Sequence, residues 1–240
     1  MLYKYGKGLP DYGQLANYKP PVVTRVHSGD GRLIAEYAKE RRVFIPVSVM
    51  PKLLIKAFLS SEDKNFYRHY GVDLIAIVRA LFTNILNTYS DRRVVGASTI
   101  TQQVVKNLLL SNELSYSRKI KEIILSVRIE NILDKNSILE LYLNDIYLGY
   151  GSYGIGTASL NYFNKSIYDL ELHEIAFLAA LPKAPNNYHP VRKKSAATAR
   201  RNWVIQKMHE NGFISKTSME IAQSIELKTK PRSETEFVDA

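Results

Sequence analysis

The chain has 240 residues, 45% hydrophobic and 23% charged, an ordinary balance for a globular protein with a buried core. Cysteine is absent, which excludes a disulfide framework and any thiolate metal site. A net charge of +10 favours a polyanionic partner: nucleic acid, an anionic membrane surface or a phosphorylated substrate. The cations are spread along the chain without a basic tail, which argues against simple nucleic-acid neutralisation. No stretch reaches the ~18 uncharged apolar residues of a membrane span.

Residues 1 to 21, rich in Tyr, Gly and Pro, read as an extended linker. Val22 to Val26, the turn Ser28-Gly29-Asp30-Gly31 and Leu33 to Tyr37 predict a β hairpin, with Val43 to Val47 as a third short strand. From Met50 the period becomes helical. Val72 to Leu86 is a strongly apolar helix interrupted by Arg79, and Ser117 caps a helix running to about Asp134. Asn136 or Ser137 starts another through Leu143, Gly149 to Gly156 is a glycine-rich break, and Glu171 to Leu181 and Ala196 to Met208 are further helices. The chain is polar from Lys228. The fold class is therefore mainly α with a small β entry, organised as 1–42 (linker and hairpin), 43–227 (the main domain) and 228–240 (a polar tail or the start of a linker).

Four segments carry chemistry. Glu62 and Asp63 close a helix beside Phe66, Tyr67 and His69; a partly desolvated carboxylate there suits a general base, while spacing alone favours a solvated acidic helix end. Gly96 to Gln103, with Ser98, Thr99, Gln102 and Gln103, offers hydroxyls and backbone N–H groups to an anion, or is an ordinary Ser/Thr-capped helix. Lys106 lies one turn further on. Arg118, Lys119 and Glu122 sit at i, i+1 and i+4, so they converge on one face as a charged cluster or a surface ion pair. Because Ile120, Ile123, Ile124 and Val127 form one apolar stripe and Leu125, Ile129 and Leu133 another, that helix is expected to be buried nearly all round. The fourth segment, Ile138 to Gly154, carries glycines suited to tight turns. No pair among the five histidines has metal-ligand spacing, and His69 reads as a packed or hydrogen-bonding residue.

In this order the segments resemble the signature motifs of glycosyltransferase family 51, the peptidoglycan polymerases. E-D-x-x-F-x-x-H-x-G runs from Glu62 to Gly71, G-[GA]-S-T-I-T-Q-Q-x-x-K-N from Gly96 to Asn107, and R-K-x-x-E from Arg118 to Glu122. I-L-E-x-Y-L-N-x-I-Y-x-G-x-G-x-x-G runs from Ile138 to Gly154. A fifth segment spans Glu174 to Pro185, then Tyr188, Pro190 and Arg200-Arg201. One departure is Lys194-Ser195, where members often carry proline, which leaves the local turn open.

The resemblance implies a lysozyme-like fold with a large helical head lobe and a small hydrophobic jaw lobe resting in the membrane, here Val72 to Leu86 and the segment before Gly96. It implies Glu62 as the base, Glu122 as a second catalytic glutamate near a bound Mg2+ or Mn2+, and Asp63, Phe66, His69, Ser98, Thr99, Gln102, Gln103, Lys106, Arg118 and Lys119 as substrate-binding. The substrates would be lipid II and the growing glycan chain, with no nucleic acid, and the partners other cell-wall synthesis or division proteins. The location would be the outer, periplasmic side of a bacterial cytoplasmic membrane. The N-terminal linker looks most like that of class A penicillin-binding proteins of the 1A type, in which a membrane helix precedes and a transpeptidase domain follows; neither is in these 240 residues.

Three rivals are weaker. A lysozyme-like hydrolase needs two carboxyl groups and no cation cluster. A transpeptidase is suggested by Ser61-Glu62-Asp63-Lys64 and Ser159-Leu160-Asn161, but Lys216-Thr217-Ser218 lacks the glycine of the third motif. A basic nucleic-acid-binding module leaves the two glutamates unexplained.

Overall fold

The computed structural model describes residues 9–17, 24–30, 33–37, 43–87, 96–110 and 115–230. The described chain is mainly helical: after β1 (Thr24–His27) and β2 (Leu33–Tyr37) come α1 (Lys52–Glu62), α2 (Leu74–Asn87), α3 (Ile100–Leu109), α4 (Tyr116–Ile129) and α5 (Lys135–Asp145). They are followed by α6 (Gly154–Phe163), α7 (Leu172–Ala180), α8 (Lys194–Glu210) and α9 (Lys216–Ser224). Two compact units form, each from separated stretches of sequence: Met1–Tyr18 with Glu62–Tyr142, and Lys19–Ser61 with Leu143–Ala240. The expected linker and polar tail fall largely outside the described residues.

In the first unit, α3 packs against α4. Gly71 makes the approach to α4 possible: its φ is +83°, and a Cβ there would lie 2.4 Å from the Ser126 carbonyl oxygen. Only a residue without a side chain fits so close a backbone. Two helix starts differ from expectation. The cap of α4 is Ser115, whose hydroxyl accepts from the Arg118 amide, so Ser117 lies inside the helix. Helix α4 ends at Ile129, and Asp134 accepts from the Ser137 amide at 2.7 Å to open α5. Asp134 caps as well as the asparagine or serine after it would, and its charge also meets the positive end of the helix dipole.

Helix α4 is not buried all round. Glu122, Leu125, Ser126 and Ile129 form the buried face, whereas Ile123 and Val127 are exposed. The two apolar stripes therefore have different neighbours.

The second unit holds a dense core. Every residue of α7 from His173 to Ala180 is buried, and α7 packs on α8, α6 and α9. Phe177 meets Tyr162 and Phe163 edge-on, with ring centroids 5.4 and 5.9 Å away. A capping box of Glu171 and Glu174 starts α7, and Lys165 holds Glu174 at 2.8 Å. Arg201 of α8 is fully buried, yet its guanidinium donates to the carbonyls of Ile225 and Gln223 and to the Asn202 side chain. The two carbonyls lie at and just beyond the end of α9, which this arginine secures. The Lys194-Ser195 departure is accommodated without a cap: α8 begins at Lys194, and Lys193 before it makes no side-chain capping bond.

Val43 to Val47 forms no strand. The Val43 amide donates to the Thr157 hydroxyl, and the Asn144 side chain both accepts from the Ile45 amide and donates to the Ile45 carbonyl at 2.9 Å. One carboxamide thus replaces a partner strand, so the extended segment is satisfied without a ladder.

Candidate functional site

Helix α1 ends in Glu62, a partly buried residue whose Oε2 accepts from Gln103 Nε2 at 3.0 Å. The next residue, Asp63, is buried and turned the other way. Its Oδ2 accepts from the Ile100 amide, the first of α3, at 3.0 Å and from His69 Nε2 at 2.9 Å. Adjacent carboxylates thus have different tasks: Asp63 fixes the start of α3, and Glu62 lies against a side chain one turn along it.

The start of α3 is itself locked. Thr99 and Gln102 form a capping box, with the Thr99 hydroxyl accepting from the Gln102 amide and Gln102 Oε1 accepting from the Thr99 amide. The Thr99 hydroxyl also donates to the Gly71 carbonyl at 2.6 Å. Both side chains are buried. Thr101 reaches a second buried network: its hydroxyl donates to Glu130 at 2.7 Å, and Glu130 accepts from Lys135 at 2.6 Å. The Lys135 ammonium stands 4.5 Å from the centre of the buried Phe66 ring.

The charged cluster at the start of α4 meets the same stretch. Lys119 Nζ donates to the Ser98 hydroxyl at 3.0 Å and pairs with Glu122. Glu122 is only 3% exposed, so its carboxylate is reached through Lys119. Arg118 has a buried Nε with no hydrogen-bond partner, and Lys106 is exposed. The two glutamates named from sequence are therefore linked by one short segment: Ser98 through Lys119 to Glu122, and Gln103 to Glu62.

Of the expected substrate-binding residues, the structure places Ser98, Gln103, Lys106, Arg118 and Lys119 at this segment or beside it. Asp63, Phe66, His69, Thr99 and Gln102 are instead buried or nearly so: Asp63 accepts from the first amide of α3 and from His69, and Thr99 and Gln102 cap that helix. Spacing alone could not separate the two groups, because a capping threonine and an anion-binding threonine occupy the same sequence position. Two further residues stand close to these groups without being singled out as site residues by the sequence, although Tyr142 lies within the fourth motif. Tyr142 is fully buried, and its hydroxyl is pushed well above the ordinary range, first by burial and then by the charges of Glu62 and Asp63. Glu130 is joined to Lys135 at a separation of five, which no helix periodicity announces.

Asp73 caps α2. Burial pushes its carboxyl up, but the Ala76 amide, the Asn65 side chain and the charges of His69 and Arg79 prevail and hold it below the ordinary carboxyl range.

Among the described residues no three His, Asp or Glu side chains cluster as a protein-held metal would require. Glu122 offers a single carboxylate, already paired with an ammonium.

The family model described as transglycosylase matches residues 30–209. Penicillin-binding protein 1A of Rickettsia prowazekii is 53% identical over 241 residues, covering 100% of the chain and 31% of that protein. The protein of the same name from Escherichia coli is 43% identical over 215 residues, 89% of the chain and 25% of its own length. Among solved structures, penicillin-binding protein 1A from Haemophilus influenzae matches with a TM-score of 0.50 and 25% identity over 90% of the chain and 22% of the other. The chain thus spans about a third or less of the length of these curated relatives.

Proposed function

The chain belongs to the transglycosylase family, and from that premise we propose that it is a peptidoglycan glycosyltransferase polymerising lipid II into β-1,4-linked glycan strands. The observation that carries the reading is the link between Glu62 and the Lys119–Glu122 pair through Ser98 and Gln103. A basic carboxylate and a group of cations held by one segment suit a reaction that takes a proton from one partner and releases an anion from the other.

In this reading Glu62 accepts the proton of the acceptor 4-hydroxyl, whose oxygen forms a bond to C1 of the donor. The bond from C1 to the pyrophosphate oxygen breaks, and the configuration at C1 inverts. Gln103 orients Glu62. Lys106, Arg118 and Lys119 neutralise the departing undecaprenyl pyrophosphate, and the unpartnered Arg118 Nε is a donor available to it. Glu122, being buried, acts by aiming Lys119. The Mg2+ or Mn2+ ion implied by the resemblance does not fit a site built from these protein groups alone; it would take most of its ligands from substrate oxygens and water, with Glu122 as one carboxylate.

The two-lobed arrangement, with α2 as part of a jaw resting on the outer face of the bacterial cytoplasmic membrane, belongs to the same proposal. Its support is the apolar outward surface of α2, where Leu74, Ile75, Phe82 and Leu86 are 64–74% exposed. No helix among the described residues is long and apolar enough to cross a membrane. Other cell-wall synthesis or division proteins are the partners this location would supply.

The test is polymerisation of purified lipid II. Glu62→Gln should retain the wild-type melting profile and lose about 10²–10⁴-fold in rate, the usual contribution of a general base. A folded Glu62→Gln protein that still makes glycan strands at the wild-type rate would remove the assignment.

A further inference from the structure

Besides the reacting segment, the first unit holds a cavity of about 630 Å³, within the range of small-ligand sites. Val72, Leu74 and Ile75 line it from the entry and first turn of α2, and Ile123 and Val127 from the outward stripe of α4. Those two α4 residues are left without a role by the proposed chemistry. Polar groups gather among the same lining residues. Arg68 is exposed, Asp73 is held in its charged form, and His69 is side-chain buried with Nε2 bonded to Asp63 and Nδ1 lacking any partner in the protein.

The lining is therefore amphiphilic, and it shares Leu74 and Ile75 with the apolar surface of α2. A ligand entering here comes from whatever α2 touches. The charges select among amphiphiles: Arg68 is the exposed cation of the lining and can neutralise a single phosphodiester charge, while the Asp73 carboxylate is buried and engaged by the Ala76 amide and Asn65. A pyrophosphate needs several cations, and the Asp73 carboxylate would oppose it.

We propose that this cavity holds one acyl chain of a membrane glycerophospholipid, with its phosphodiester on Arg68. The inference rests on the membrane contact proposed for α2 and is independent of the glycosyl-transfer chemistry. A bound lipid would contact both the start of α2 and the motif that ends in Gly71, since Ile75 and Tyr70 both line the cavity.

The test uses phosphatidylglycerol as the probe, with retained lipid counted by native mass spectrometry from detergent and association measured by flotation with phosphatidylglycerol vesicles. Wild type should retain one phospholipid per chain. Val127→Trp and Ile123→Trp, which fill the cavity from α4 and leave the α2 sequence unaltered, should lower retention about tenfold while flotation is unchanged. Arg68→Gln, an exposed substitution that leaves the fold intact, should weaken retention about threefold. Equal retention by wild type and all three variants overturns the proposal, as does complete absence of retained lipid from a wild-type chain that floats. Displacement of the phospholipid by equimolar undecaprenyl phosphate also overturns it, and gives the cavity to the polyprenyl substrate. Failure of wild type to float defeats the membrane reading itself, which separates the two.

Discussion

Helices α2 and α7 have similarly apolar sequences and opposite surroundings. Helix α7 is buried from His173 onward, covered by α6, α8 and α9. Of the fourteen residues of α2, only Ala80 is buried. Apolar composition thus records that a segment avoids water; it does not say what replaces the water. For α7 the replacement is protein. For α2 no such cover is found among the described residues, and in the proposed reading it is the membrane surface.

Shortening the most central side chain of α7 breaks the comparison hardest. Phe177→Ala removes a ring packed between Tyr162 and Phe163 and should cost about 3–5 kcal/mol in denaturant unfolding. The matching change in α2, Phe82→Ala, should stay within about 0.5 kcal/mol of wild type, since a side chain already in water loses no packing. If both substitutions cost the same, α2 is covered by something within the chain. A sharper experiment replaces Leu81, Phe82 and Ile85 together by serine. Melting should be nearly unchanged and vesicle association should fall at least about tenfold, because each exposed apolar side chain contributes about 1.5–3 kcal/mol on transfer out of water.

The smallest effect distinguishes the helices by pH. Burial, the leading cause, lowers the pKa of His173 in α7 below its ordinary value of 6.5, against the opposing charges of Glu174 and Glu171. A depressed folded pKa means the unfolded chain binds the proton more readily. The related stability is therefore present in full above pH 6.5 and is lost as the pH falls below it. His173→Gln should flatten that acid-side decline in melting temperature, whereas α2, which contains no histidine, contributes none.

The helical architecture was largely legible in the sequence because periodicity and caps are local. The boundaries that shifted did so by a choice among neighbouring acceptors: Ser115 rather than Ser117 for α4, and Asp134 rather than Asn136 or Ser137 for α5. The strand expected at Val43 to Val47 was not recoverable, because its backbone is satisfied by Asn144, about a hundred residues away. At the candidate site, residue types and order were visible as motifs, but their division of labour was not. Asp63 and Glu62 are adjacent in the chain, and only packing turns one onto the α3 amide and the other onto Gln103.

By itself the sequence determined the helical period, the capping chemistry and the ordered set of acids and cations, all properties of residues within a turn or two of each other. Tertiary structure alone decided which apolar helix is core and which faces outward, and which members of each motif remain reachable. Burial belongs to contacts between distant segments, and two sequences of the same hydrophobicity carry no mark of which one will find a partner.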